Sequence, residues 1–318
     1  MLLITGGTGM IGESLTNTLL EKGYQVIVLT RKLNQISTRL RLSFAHWNLE
    51  TGYIDPTALA AADIIIHLAG ESVATKRWST KRKKEILDSR VHSGHLLIKS
   101  LKETNHHVHT VIAASAIGWY GPDTPTSKLN GFNESDPVDT HFLGSTCKAW
   151  EEALHPLGNM GIRLIQLRIG IVLHKSAGAL AEFMKPAKFG IATILGNGQQ
   201  MVSWIHVLDL CNMMLFAIEH TSIKGIYNAV APEPVSNKQL VYTLSKKMTK
   251  YYLPIVVPSF VLKLMLGEMS IEVLKSAKVS SAKIQTAGFD FSYPTIESAL
   301  DQLEIHQVLL KLLSFQHQ

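Results

Sequence analysis

Over the first half of the chain the apolar residues fall into short continuous runs: LLIT at 2–5, QVIVLT at 25–30, a run at 43–47, DIIIHL at 63–68, VHTVIAAS at 108–115 and a run at 163–168. Between them the spacing changes to every third or fourth position, over 10–22, 56–62, 80–103 and 142–157. A strand that is apolar at nearly every position has no solvated face, so these runs predict strands covered on both sides, with the intervening helices as the covers. The expected fold class is α/β, a doubly wound parallel sheet with right-handed crossovers.

Beyond about residue 173 the alternation loosens. Helical stretches at 177–189, 208–220, 236–250, 258–275 and 296–313 are joined by short strands at 203–207 and 225–229. At about 150 residues per domain, 318 residues allow about two domains. The division expected is a Rossmann-type dinucleotide-binding domain over 1–172 and a smaller, mainly helical substrate lobe over 173–318, ending in a helical segment at about 248–297. No low-complexity linker separates them, which predicts a shared interface and a cleft.

Composition narrows the class. With 46% hydrophobic and 18% charged residues the chain can bury a core. The longest apolar stretches, 63–70 and 253–266, are short or interrupted by Pro254, Pro258 and Lys263, against the roughly 20 residues a membrane span needs. No membrane partner is expected. MLLITGG has no basic residue ahead of its apolar run and no cleavage-site pattern, so it reads as a strand entering a turn, and the expected location is cytoplasmic. Two cysteines, Cys147 and Cys211, form no disulfide framework, and the 14 histidines show no zinc spacing, so no metal is expected.

The net charge is +6, and Lys76, Arg77, Lys81, Arg82, Lys83, Lys84 and Arg90 cluster against two acids. Ile86, Leu87, Val91 and Leu97 recur there at helical spacing, so the cluster reads as a solvated helix face, and nucleic acid is not an expected partner.

The clearest chemistry lies at Thr5-Gly6-Gly7-Thr8-Gly9-Met10-Ile11-Gly12, between the first strand and the first helix. Gly6, Gly9 and Gly12 permit a tight turn and let backbone amides approach a pyrophosphate at the positive end of a helix. The second strand ends in Thr30-Arg31-Lys32 with no carboxylate to accept from ribose hydroxyls. Arg31 can instead grip a 2′-phosphate, with Lys32 adding positive field, so NADP is expected in preference to NAD.

GGTGMIG, IIIHLAG, ASAIGWYG and SWIHVLDL resemble the extended short-chain dehydrogenase/reductases. LAGES, RWSTKRKKEILDSRV, YNAVAPEPVSN and LMLGEM resemble more closely the bacterial epimerase family of nucleoside-diphosphate-sugar-epimerase-like proteins, over nearly the whole chain. The resemblance implies that Thr8, Met10 and Ile11 lie on the pyrophosphate, that Leu68, Ala69 and Gly70 line the adenosine half, and that Ile169, Gly170 and Ile171 face the carboxamide. It makes Ser115 the catalytic hydroxyl near the nicotinamide.

That chemistry needs a Tyr-x-x-x-Lys pair on one helix face, the Lys lowering the phenol pKa. Anchored on Glu151, the Tyr position is Leu143 and the Lys position is Cys147; Lys148 lies about 100° around the helix. Tyr242 and Lys246 have the spacing but belong to the second lobe. Arg90 replaces a common Asn, and Asn48 stands where an Asp often contacts adenine. Other polar candidates are Tyr120, Cys147, His206 and Asp209, the last also readable as an N-cap, with Arg90 and Arg168 as anion binders or ion-pair partners. The function expected is an NADP(H)-binding oxidoreductase or epimerase acting on a small, nucleotide-linked substrate, with a homodimer as the assembly to test. The rival reading is an inactive dinucleotide-sensing or partner-binding protein.

Overall fold

The computed structural model describes residues 1–32 and 35–303. The strands, in chain order, are β1 (Leu2–Thr5), β2 (Val26–Thr30), β3 (Leu42–Asn48), β4 (Tyr53–Ile54), β5 (Ile64–His67), β6 (Thr110–Ala116), β7 (Arg163–Ile169), β8 (Ile171–Leu173), β9 (Ile191–Leu195), β10 (Met201–Val202), β11 (Trp204–His206), β12 (Gly225–Ala229), β13 (Val235–Ser236) and β14 (Leu253–Val257). The first helices are α1 (Met10–Glu21), α2 (Pro56–Ala61), α3 (Thr80–Glu103), α4 (Pro125–Asn130), α5 (Phe142–Glu152), α6 (Pro156–Asn159), α7 (Gly178–Ala187), α8 (Val207–Glu219) and α9 (Asn237–Met248).

Eight strands form one sheet in the order β12-β7-β6-β5-β1-β2-β3-β4, parallel except for the β3–β4 pair. Its side chains alternate between two layers. Leu2, Ile4, Val26, Val28, Ile64, Ile66 and Ile112 pack with Leu15 and Leu19 of α1 and with Leu210, Met213 and Met214 of α8. Leu3, Ile27, Leu29, Ile65 and Val111 face the other way, onto Leu59 of α2, Leu97 and Leu101 of α3 and Leu157 of α6. With both faces dry, each central strand is apolar throughout, as its sequence suggests.

The strand order reverses beside β1, where the chain first builds outward through β2 to β4 and then returns to β5 on the opposite side. Ligands of such sheets bind in the crevice at that point, at the carboxyl ends of the strands. A separate core, with Leu173, Leu180, Met184, Trp204, Leu240, Leu244, Ile296 and Leu300, holds the second-half elements together.

Several elements differ from expectation. The strand at 225–229, expected in the second lobe, is β12 and pairs with β7 at the edge of the main sheet. The helix expected over 142–157 ends at Glu152, and the chain restarts at Pro156, whose ring cannot continue the first helix's hydrogen bonds. The helix expected over 258–275 divides into Ser259–Leu266 and Ser270–Leu274 around Gly267, at φ +61°. β9 and β14, not anticipated, form a parallel pair. The last expected helix is present as Ile296–Gln302; the rest of it lies outside the described residues.

Candidate functional site

Four residues turn the chain from β1 into α1. Gly6 has φ +69°, and a Cβ built there would lie 2.8 Å from the Leu68 carbonyl. A Cβ on Gly12 would lie 2.3 Å from the Gly6 oxygen, so the helix start is pressed against the turn. Gly7, which the motif spacing does not single out, is as constrained, its Cβ site being 2.7 Å from Val28 Cγ1. Gly9 donates its amide to the Gly6 oxygen at 3.0 Å and occupies the N-cap of α1 with no side chain over the first turn. Thr8 and Gly9 are exposed, while Met10 and Ile11 are half-buried. The first-turn amides therefore keep their donors and their positive end, which suits an anion.

A polar chain inside the protein supports this turn. The amides of Leu68 and Ala69 donate to Thr5 Oγ1 at 3.1 and 3.2 Å, and Thr5 Oγ1 lies 2.9 Å from His67 Nδ1. His67 Nε2 lies 3.2 Å from Ser93 Oγ, which donates to the Arg90 carbonyl at 3.0 Å. With two amides filling the Thr5 oxygen, its hydrogen goes to Nδ1, and a neutral imidazole then donates from Nε2 to Ser93. Burial lowers the His67 pKa to about 4, which keeps that tautomer neutral. Sequence reading passed over His67 because a histidine within an apolar run carries no motif of its own. Arg31 and Lys32 stand exposed just past the end of β2, and the Lys32 amide donates to Thr30 Oγ1.

At the end of β6 the arrangement is closed. Ser115 is 3% exposed, and its Oγ donates to Glu151 Oε1 at 2.6 Å. Arg168 donates from Nε and Nη2 to the two Glu151 oxygens, at 2.9 and 3.0 Å, in a fork that leaves neither charge in water. Burial alone lowers the Arg168 pKa, and Glu151 overrides it, so the net shift is upward. The guanidinium lies 3.6 Å from the Trp119 ring centroid and also donates to the Tyr120 hydroxyl, which in turn donates to Asn228 Oδ1 at 2.7 Å. Burial raises the Tyr120 pKa to about 12. Of the two roles open to Arg168 in the sequence, the structure shows the ion pair; Tyr120, a candidate acid or base in the sequence, is a fully enclosed phenol.

On α5, Leu143 and Cys147 both face Gly118, whose Cβ site is 3.1 Å from Leu143 Cβ and 3.5 Å from Cys147 Sγ. Cys147 is buried, donates weakly to the Ala116 carbonyl at 3.5 Å, and has its pKa pushed up to about 12 by burial. It is a thiol packed as an apolar group. Asp209 is not the N-cap of α8; His206 holds that position, and Asp209 accepts from the amides of Ser292 and Tyr293, tying the C-terminal segment to α8. Tyr242 lies on α9 against Tyr252.

The basic cluster is only partly a solvated face. Arg82 is buried and grips Glu71, Glu85 and the Ser72 carbonyl, while Lys83 pairs with Glu268 and Lys84 with Asp88. Between the segment after β6 and the second lobe lies a cavity of about 610 Å³, lined by residues including Asp123, Lys128, Met201, Glu233 and Lys278. Among the described residues no three His, Cys, Asp or Glu gather in a way that could hold a metal, and no helix is long and apolar enough to cross a membrane.

Residues 2–229 match the model of the NAD dependent epimerase/dehydratase family, and residues 257–303 match a domain of unknown function, DUF1731. The chain is 36% identical over 302 residues to the epimerase family protein YfhF of Bacillus subtilis, covering 94% of this chain and 96% of that protein. It is 36% identical over 301 residues to SAR0825 of Staphylococcus aureus, covering 95% and 98%. The crystal structure of human epimerase family protein SDR39U1 with NADPH superposes with a TM-score of 0.84 at 26% identity, over 95% of this chain and 98% of that one. A nucleoside-diphosphate sugar epimerase from Corynebacterium glutamicum superposes with a TM-score of 0.72 at 26% identity, over 99% of this chain and 65% of that one.

Proposed function

The chain belongs to the NAD dependent epimerase/dehydratase family, and from that premise we propose that it binds NADP(H) at the β1–α1 turn and acts as an oxidoreductase or epimerase on a small, nucleotide-linked hydroxyl substrate. The observation that carries the reading is the turn itself, where Gly6 and Gly12 admit no Cβ and Gly9 leaves the α1 amides uncapped. The amides of Thr8, Met10, Ile11 and Gly12 would hold the pyrophosphate, with Gly6 and Gly9 shaping the turn that presents them. Arg31 and Lys32 would take the 2′-phosphate, Leu68, Ala69 and Gly70 the adenosine half, and Ile169 the carboxamide end. When bound, the dinucleotide supplies a hydride donor or acceptor at its nicotinamide ring. The NADPH in the human neighbour supports the cofactor choice.

The protein's own part is to bind, orient and exclude water. The Thr5–His67–Ser93 chain fixes the strand end that faces the turn. A second reading, a dinucleotide-sensing protein without turnover, is favoured by one group of observations: Leu143 and Cys147 are apolar in their packing, and the Ser115 hydroxyl is held by Glu151.

Calorimetric titration of wild type and Arg31→Glu with NADPH and NADH tests the cofactor assignment. Loss of a charge-assisted contact of about 1.5–3 kcal/mol predicts NADPH binding at least about tenfold weaker in the variant. Equal wild-type affinities for the two cofactors contradict the assignment. Turnover across sugar nucleotides and carbonyl compounds supports the enzyme, and tight NADPH binding with no turnover supports the sensor.

A further inference from the structure

Along the chain from Tyr251 to Met265, six large apolar side chains, Tyr251, Leu253, Val256, Phe260, Leu264 and Met265, are each more than half exposed. They run from β14 through Pro258 into a further helix, α10 (Ser259–Leu266), whose buried residue is Leu262. Phe189, 83% exposed, stands beside them, because the Leu253 amide donates to the Gly190 carbonyl at 2.7 Å. Single exposed apolar residues are ordinary, but a continuous set of this size marks a contact surface. Its charge is of one sign. Between Pro234 and Gly267 the sequence holds five lysines and no Asp or Glu. Lys247 is taken by Asp301, whereas Lys188, Lys246, Lys250 and Lys263 are exposed and have no ion-pair partner among the described residues. Glu268, the next acid along the chain, is turned to Lys83.

The free edge of β14 is blunted against another strand. Leu253 donates to Gly190 and Val257 accepts from the Gly196 amide, so the alternate residues Pro254 and Val256 turn their backbone away from β9. Pro254 has no N–H, which leaves Val256 as the outward donor of the strand and gives a β-partner no ladder to extend. A second copy across a two-fold axis would set the same lysine-rich face against itself. Aromatic and aliphatic side chains with lysines among them instead suit a surface that is negatively charged outside and apolar beneath. We propose that β14 and α10 form a docking surface for an anionic lipid bilayer. The apolar side chains enter the headgroup region, and the lysine stems lie along them with their ammonium groups on lipid phosphates. Such docking needs no spanning helix. Because α10 falls within the segment matching the domain of unknown function, that segment gains a task separate from the dinucleotide.

The test is sedimentation of the full chain with vesicles of phosphatidylglycerol and phosphatidylethanolamine, and with vesicles of phosphatidylcholine alone. Phe260→Ser with Leu264→Ser removes apolar contact, and Lys250→Gln with Lys263→Gln removes charge. The expected result is wild-type binding at least about tenfold tighter to the anionic vesicles than to the neutral ones, and a loss of about tenfold or more in each double variant. Raising the salt from about 0.1 to 0.5 M should weaken the anionic binding. Because all four positions are exposed, melting temperatures should stay within about 2 °C of wild type. Wild type that does not sediment with anionic vesicles overturns the proposal, as does equal sedimentation of wild type and the Phe260/Leu264 variant. Affinity for soluble polyglutamate equal to that for the vesicles assigns the face to an acidic protein and overturns it. A lipid-free dimer in analytical ultracentrifugation that the Phe260/Leu264 variant dissociates assigns the face to a second copy, with the same consequence. None of these outcomes bears on NADPH binding.

Discussion

Glu151→Gln removes the negative charge from the Ser115–Glu151–Arg168 cluster while keeping its shape. Glu151 and Arg168 are 3% and 1% exposed, so neither charge is screened by water. The carboxylate accepts three hydrogen bonds, at 2.6, 2.9 and 3.0 Å, and an amide can match only part of them. The larger effect is on Arg168, left as a buried cation without its counter-charge. Breaking such a pair from one side costs about 3–5 kcal/mol. At roughly 2 °C per kcal/mol for a chain of this size, the melting temperature should fall by about 6–10 °C. The assay is thermal and urea unfolding of wild type, Glu151→Gln, Arg168→Met and the double variant. Because the second substitution removes the stranded charge, the double variant should be less destabilised than the sum of the singles. A single-variant loss below about 1 kcal/mol, or simple additivity, would refute the view that this pair organises the end of β6.

The pH dependence should come largely from histidines kept neutral by burial. His67 and His206 both have pKa values lowered to about 4, so between about 4 and 6.5 the unfolded chain binds more protons than the folded one. Their contribution is complete above about pH 6.5 and is lost as the pH falls toward 4, up to about 3 kcal/mol for His67. Melting curves over that range should show the slope, and His67→Asn should flatten it; an unaltered slope in the variant would count against a buried neutral ring. Cys147 and Cys211, each with a pKa near 12 set first by burial, should resist iodoacetamide in the folded protein and react after denaturation. Rapid native-state labelling of Cys147, read by mass spectrometry, would show a thiolate this packing does not allow.

Much of the fold was legible because the sheet is dry on both faces. Each apolar run up to Arg163–Ile169 is a strand of that sheet, since burial on two sides leaves a pattern no surface strand shows. The fate of Gly225–Ala229 was not legible: a five-residue run carries no information about which sheet it joins, and its pairing with β7 is a long-range choice. The glycine turn was readable since backbone conformation and close approach demand glycine there. The interior of the site was less so. Nothing in the chain order tells that Glu151 and Arg168 meet, that Ser115 points at them, or that His67 stands behind the turn, because these contacts join residues brought together only by the sheet. Asp209 shows the opposite error, a local capping rule overtaken by tertiary contacts with Ser292 and Tyr293.

On the proposed reading, uncapped amides at a glycine-closed helix start hold a dinucleotide diphosphate. Calorimetric titration of NADPH into wild type and Gly12→Ala addresses it most directly, because the added methyl would meet the Gly6 oxygen at 2.3 Å and force the turn open. The expected result is saturable one-site binding to wild type and at least about a hundredfold loss in the variant, the equivalent of about 2.7 kcal/mol. Equal binding to both proteins, or none to wild type, would contradict it.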